Sequence, residues 1–90
     1  MREIIFKIRE FSGRDEIHDF FQEAFSLPDW YGRNLDALFD VLTEVREETK
    51  VVVDLGGLER QDLGGYARQL LRVLWDAAKE NERILVEVRA

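Results

Sequence analysis

The sequence has no cysteine, one proline and one histidine. It also has no apolar run near the ~20 residues that a membrane-spanning helix needs. Without cysteine, disulfides and thiolate metal sites are excluded, a composition that suits the reducing cytosol. Charges interrupt MREIIFKIRE too early and too often for a secretory leader, so a soluble, cytoplasmic protein with no membrane partner is expected. Lysine and arginine form no patch: Arg68, Arg72 and Lys79 decorate one helix among nearby acids. With a net charge of −6, direct nucleic-acid binding is disfavoured and a basic partner is favoured, although the same charge also serves solubility.

Catalytic groups are equally scarce. His18 lies at the edge of an apolar stripe, where packing or surface exposure accounts for it, and Ser12 and Ser26 have no histidine at a suggestive spacing. The two Leu-Gly-Gly stretches, at 55–57 and 63–65, lack the Gly-Lys-Ser/Thr ending of a phosphate loop. Asp36 and Asp40 alone make a weak cation site. A binding protein without cofactor or metal is expected, rather than an enzyme.

The 90 residues, 46% of them hydrophobic, suit a single domain spanning 1–90. A chain this short buries only about 60–65% of its unfolded surface, so its core must be used efficiently. Residues 3–10 read as a strand, and Ser12 with Asp15 marks a helix cap. Residues 14–26 place Ile17, Phe20, Phe21, Ala24 and Phe25 on one helical stripe, which Pro28 ends. Asn34 caps a second helix running to about residue 45. Residues 50–55, KVVVDL, read as a strand covered on both faces. After glycine-rich turns, residues 64–80 read as a helix burying Ala67, Leu70, Leu71, Leu74, Ala77 and Ala78, with Asn81 as its C-cap. Residues 83–89 form a last strand. Strands separated by helices predict an α/β fold with parallel pairing and right-handed crossovers.

The stretch LPDWYGRNLDALFDVLT, residues 27–43, concentrates two liabilities. On its helix, Leu35, Leu38, Phe39, Leu42 and Val45 share the core face, while Asp36, Asp40, Thr43 and Glu44 share another sector without any cation. Like charges four residues apart cost an isolated helix roughly 0.2–0.5 kcal/mol, and the helix dipole offsets this for Asp36 only. Trp30 and Tyr31 precede the helix at a turn where Gly32 supplies backbone angles closed to other residues. Either the acids are a solvated face and the aromatics fold inward, or aromatics beside unpaired acids form a hot spot aimed at a cationic pocket.

This stretch closely resembles the barstar family, intracellular inhibitors of the secreted ribonuclease barnase. Leu27, Pro28, an acid at 29, two aromatics, Gly32, Asn34, Leu35, Asp36, Ala37, Leu38, an aromatic at 39, Asp40, Leu42 and Thr43 carry the likeness. Element order, the Ile/Val-rich middle strand, Asp76-Ala77 and Glu80 extend it loosely over the chain. The resemblance implies a small three-stranded parallel sheet packed by three to four helices. It also implies a one-to-one complex with a basic, extracellular-type ribonuclease, formed by a protein that is monomeric when free. On that likeness Asp40 meets the basic cluster that holds the scissile phosphate, Asp36 a basic residue at the rim, and Trp30 the cleft mouth. Gly32, Asn34, Leu35 and Thr43 line the contact, and Asp76 with Glu80 adds an outlying acidic contact; Tyr31, Ala37, Phe39 and Glu44, beside these on the loop and helix, are expected in the same partner-binding surface. The chain departs from the pattern at Glu44 and Val45, at the longer proline-free connection from Val45 to Lys50, at Arg33 in place of an acid, and at Asp76 in place of glutamate. An acidic helix flanked by aromatics also suits a basic partner that is not a ribonuclease.

Overall fold

The three consecutive valines of β2 (Thr49–Asp54) are all buried, and this strand takes the middle of the sheet. A computed structural model describes residues 1–90. β1 (Arg2–Lys7) and β3 (Ile84–Arg89) flank β2, both parallel to it, giving the expected three-stranded parallel α/β sheet. The helices are α1 (Arg14–Ala24), α2 (Leu35–Thr43) and α3 (Gly64–Glu80). None is long and apolar enough to cross a membrane.

Register explains where the core sits. Ile4, Val51 and Val86 pair across the sheet, as do Phe6, Val53 and Val88; all six share one face, and all but Ile4, which is buried at its edge of the sheet, belong to the core cluster or pack against it. Glu3, Lys50 and Leu85, with Ile5, Val52 and Glu87, project from the opposite face because side chains alternate along a strand. Ile5 and Leu85 are exposed there, and Val52, although buried, lies outside the main core cluster. The expectation that β2 is covered on both faces is therefore corrected: helices cover one face only. Flanking strands and the Lys50–Glu87 ion pair, 2.8 Å, shelter Val52 on the other.

Phe6 anchors an aromatic cluster, its ring centroid 4.8 Å from Phe11 and 5.4 Å from both Phe20 and Phe21. Such buried rings contribute about 1.5–3 kcal/mol each relative to exposure. The cluster fixes α1 to β1, and β1 ends earlier than the strand over residues 3–10 that the sequence predicts. Its last residues, Ile8–Glu10, close a 3-10 turn that buries Ile8 and directs the chain toward α1. The cap of α1 also differs from expectation. Gly13 holds the N-cap position and has no side chain to offer; instead the Ser12 hydroxyl and backbone N–H both donate to the Glu16 carboxylate.

α3 matches its predicted span and lies against both α2 and β3. Its first residue must be glycine, since a Cβ at Gly64 would stand 2.2 Å from the Leu58 carbonyl oxygen. At its far end Asn81 does more than stop the helix. Its side-chain amide donates to Leu42 O and Val45 O, both at 2.9 Å. The Leu42 carbonyl in the last turn of α2 and the Val45 carbonyl just beyond that helix are thus tied to the end of α3.

Candidate functional site

α2 has nine residues, fewer than the ~12–15 at which an isolated helix becomes even marginal in water. Its shape comes from its ends and its buried face. Asn34 Oδ1 accepts from Ala37 N at 2.8 Å, while Asn34 Nδ2 donates to Gly32 O at 3.2 Å. Leu38 and Leu42 are fully buried; Leu35, Ala37, Phe39 and Val45 are half-buried against the core. That geometry leaves Asp36, Asp40 and Glu44, each four residues from the next, on the exposed side. None of the three forms an ion pair within 4.0 Å. Thr43 Oγ1 donates to Asp40 O at 2.9 Å, so this hydroxyl is engaged with its own helix.

The two aromatics before α2 part company. Trp30 is 85% exposed, whereas Tyr31 is 4% exposed and belongs to the core. Tyr31 is therefore corrected from a surface contact to an internal brace. Its hydroxyl lies 2.8 Å from Nδ1 of buried His18, whose Nε2 lies 2.6 Å from the Tyr66 hydroxyl. A neutral imidazole donates through one nitrogen and accepts through the other, so one ring satisfies both hydroxyls. Burial lowers the His18 pKa from its ordinary 6.5, helped by nearby Arg33 and opposed by Asp15 and Asp19. Burial also pushes the Tyr31 hydroxyl up to about 12. The Tyr31–His18–Tyr66 chain joins the loop before α2 to α1 and to the first turn of α3.

Gly32 also serves another purpose than expected. It does not occupy the left-handed region; a Cβ there would meet Ala37 Cβ at 3.1 Å, so glycine allows the loop to lie close on α2. Arg33 carries the left-handed angle instead, with φ 54°. Its guanidinium reaches Gln22 Oε1 and Asp19 Oδ1, both at 2.6 Å, and Asp15 O at 2.9 Å, all on α1. The cation that interrupts the acidic stretch is thereby fastened to α1.

Three hollows surround α2. Trp30, Gly32, Ala37, Asp40 and Glu44 line one of ≈ 300 Å³, which brings the exposed indole and two carboxylates together. Asp36 lies between the other two. One, ≈ 370 Å³, places it with Asn34, Leu35, Arg14 and Arg33; the second, ≈ 540 Å³, with Leu35, Arg68, Arg72 and Asp76. Asp40 therefore sits in a wholly acidic setting and Asp36 in a mixed one. Glu80 is exposed on the last turn of α3, outside these hollows. Arg68 and Arg72, which the sequence shows only as scattered charges, join the site because α3 lies beside α2; their spacing of four residues is the signal for them. Nowhere do three His, Asp or Glu side chains gather as a metal ion would require.

All 90 residues, 1–90, match the family described as Barstar (barnase inhibitor). The chain belongs to the barstar family. A protein of Bacillus subtilis (strain 168) named "Putative ribonuclease inhibitor YrdF" is 38% identical to it over 81 residues, 89% of each chain. The three-stranded parallel sheet and its three helices agree with this barstar membership.

Proposed function

We propose that this protein inhibits a small secreted ribonuclease by filling its basic, phosphate-binding cleft with α2 and the Trp30 loop in a one-to-one complex. Membership of a family described as barnase inhibitors, and 38% identity to a relative named for ribonuclease inhibition, support the target class. The observation that carries the mode of binding is the outward projection of Asp36 and Asp40, without an ion-pair partner, beside an exposed indole. A ribonuclease must hold a polyanion, so its cleft is basic. A rigid helix bearing carboxylates presents that charge pattern without a cleavable bond. Long-range attraction speeds the encounter, and charge-assisted hydrogen bonds formed in the desolvated contact slow escape. Repulsion along the Asp36–Asp40–Glu44 ridge is relieved on binding. The free protein acts as a cytoplasmic antitoxin, a monomer that captures the enzyme before it can damage the cell's own RNA.

The test is a titration of purified protein against a panel of small secreted bacterial ribonucleases. At least one enzyme should lose activity at a near-stoichiometric ratio. Asp40→Ala should weaken that complex by about 2–5 kcal/mol, because it leaves buried cations of the enzyme unpaired, while folding stability stays within about 1 kcal/mol. A fully active panel, or undiminished inhibition by Asp40→Ala, sinks the proposal.

A further inference from the structure

Among the acidic features of this surface, the first half of α3 stands out. Read every fourth residue, the exposed ridge of α3 runs Arg68, Arg72, Asp76, Glu80, cations first and acids after. Neither guanidinium has a carboxylate within 4.0 Å, although Asp76 and Asp36 line the same hollow. A second hollow, ≈ 500 Å³, lies on their other side and is lined by Leu58, Leu71, Lys79 and the half-exposed Trp75. The two arginines thus line both hollows and form a crest between them, with Leu71 and Trp75 on one side and Asp36 on the other. A partner that covers Asp36 from the α3 side also covers this crest.

We propose that the ribonuclease rim landing on the first half of α3 carries carboxylates that Arg68 and Arg72 engage, and that this contact selects among ribonucleases sharing a basic cleft. The inference rests on the ribonuclease reading above and adds a requirement to it. Two guanidinium groups one helical turn apart repel each other. A uniformly basic rim pressed onto them would add to that repulsion and strip their hydration without return. Carboxylates at the same place accept planar, paired hydrogen bonds that guanidinium groups are shaped to give. The acidic ridge of α2 therefore admits any phosphate-binding cleft, and the arginines of α3 reject those whose rim is basic as well. Attraction at one position and repulsion at another is how closely similar partners are told apart.

The experiment uses the full-length protein and the ribonuclease from the panel that the wild type titrates most tightly. Arg68→Glu combined with Arg72→Glu should raise the inhibition constant about tenfold or more, since each reversal sets like charges against one another. The milder Arg68→Ala/Arg72→Ala pair should raise it less, and reversing the opposing acidic residues of the enzyme to lysine should restore inhibition by the double glutamate variant. An unchanged or lower inhibition constant for both double variants, each with wild-type far-UV circular dichroism, overturns the inference. Asp40→Ala, run alongside, separates the two claims: if it inhibits as well as wild type, or if no enzyme is titrated, the ribonuclease reading fails and this inference with it.

Discussion

Removing one oxygen from Tyr31 tests whether the site is braced from within. Tyr31→Phe keeps the ring, which is 4% exposed, and deletes only the hydroxyl that lies 2.8 Å from His18 Nδ1. His18 is itself 1% exposed, so its orphaned nitrogen has poor access to water. A buried polar group left without a partner costs about 1–3 kcal/mol, and a middle value of about 2 applies here because the second nitrogen keeps its bond to Tyr66. With an unfolding entropy near 2.1 cal/mol/K per residue, that loss lowers Tm by about 10 °C for a chain of this length. In urea the midpoint should fall with its slope unchanged, since the surface exposed on unfolding is the same. Tyr66→Phe should cost less, because Tyr66 is half-buried and water can replace its hydroxyl. Inhibition by Tyr31→Phe should fall far less than by Asp40→Ala. A Tyr31→Phe protein within about 0.5 kcal/mol of wild type, the range of an ordinary surface change, would refute the idea that this hydrogen-bond chain holds the loop.

Other consequences are equally measurable. Asn34→Ala should lower stability by about 1 kcal/mol through loss of the α2 cap, read from urea denaturation, and should slow association as the loop loses its tie to Gly32. Acidification should weaken the fold below pH 6.5. There the unfolded chain takes up a proton on His18 while the folded state, with its pKa lowered by burial, stays neutral, so stability falls with pH until the folded histidine also titrates. His18→Gln should flatten that segment of the pH–stability curve. Complex formation should slow markedly between low and physiological salt, because screening shortens the reach of the α2 carboxylates; a flat response in stopped-flow measurements would count against steering.

What the sequence reveals follows the range of the interactions involved. α3 is legible to both ends because its stripe is long and glycine and asparagine bracket it. β2 is legible because its valines are contiguous. β1 is overextended in the sequence reading, since Ile8 continues the run of branched and aromatic residues and only packing turns it into a 3-10 segment. Asn34 is recognisable as a cap because capping is local. Tyr31 is not recognisable as a core residue, because what draws it inward lies 13 and 35 positions away, at His18 and Tyr66. Arg33 misleads for the same reason: in the sequence it interrupts an acidic surface, and only the neighbouring α1 shows it fastening the loop. The carboxylates of α2 face outward as their helical spacing requires, whereas the mixed charge around Asp36 depends on which helix lies alongside.

The two asparagines at the ends of α2 bear on any attempt to miniaturise the molecule. A synthetic fragment spanning residues 27–43 would retain Asp36, Asp40 and the indole, yet lose the amide of Asn81 and the hydrophobic floor beneath Leu38 and Leu42. It would have to freeze a floppy chain at the moment of contact, so its affinity should fall by more than the loss of the outlying contacts on Glu44 and α3 accounts for. The proposed recognition surface has its centre on seventeen residues; the stiffness that makes it useful comes largely from the remaining seventy-three.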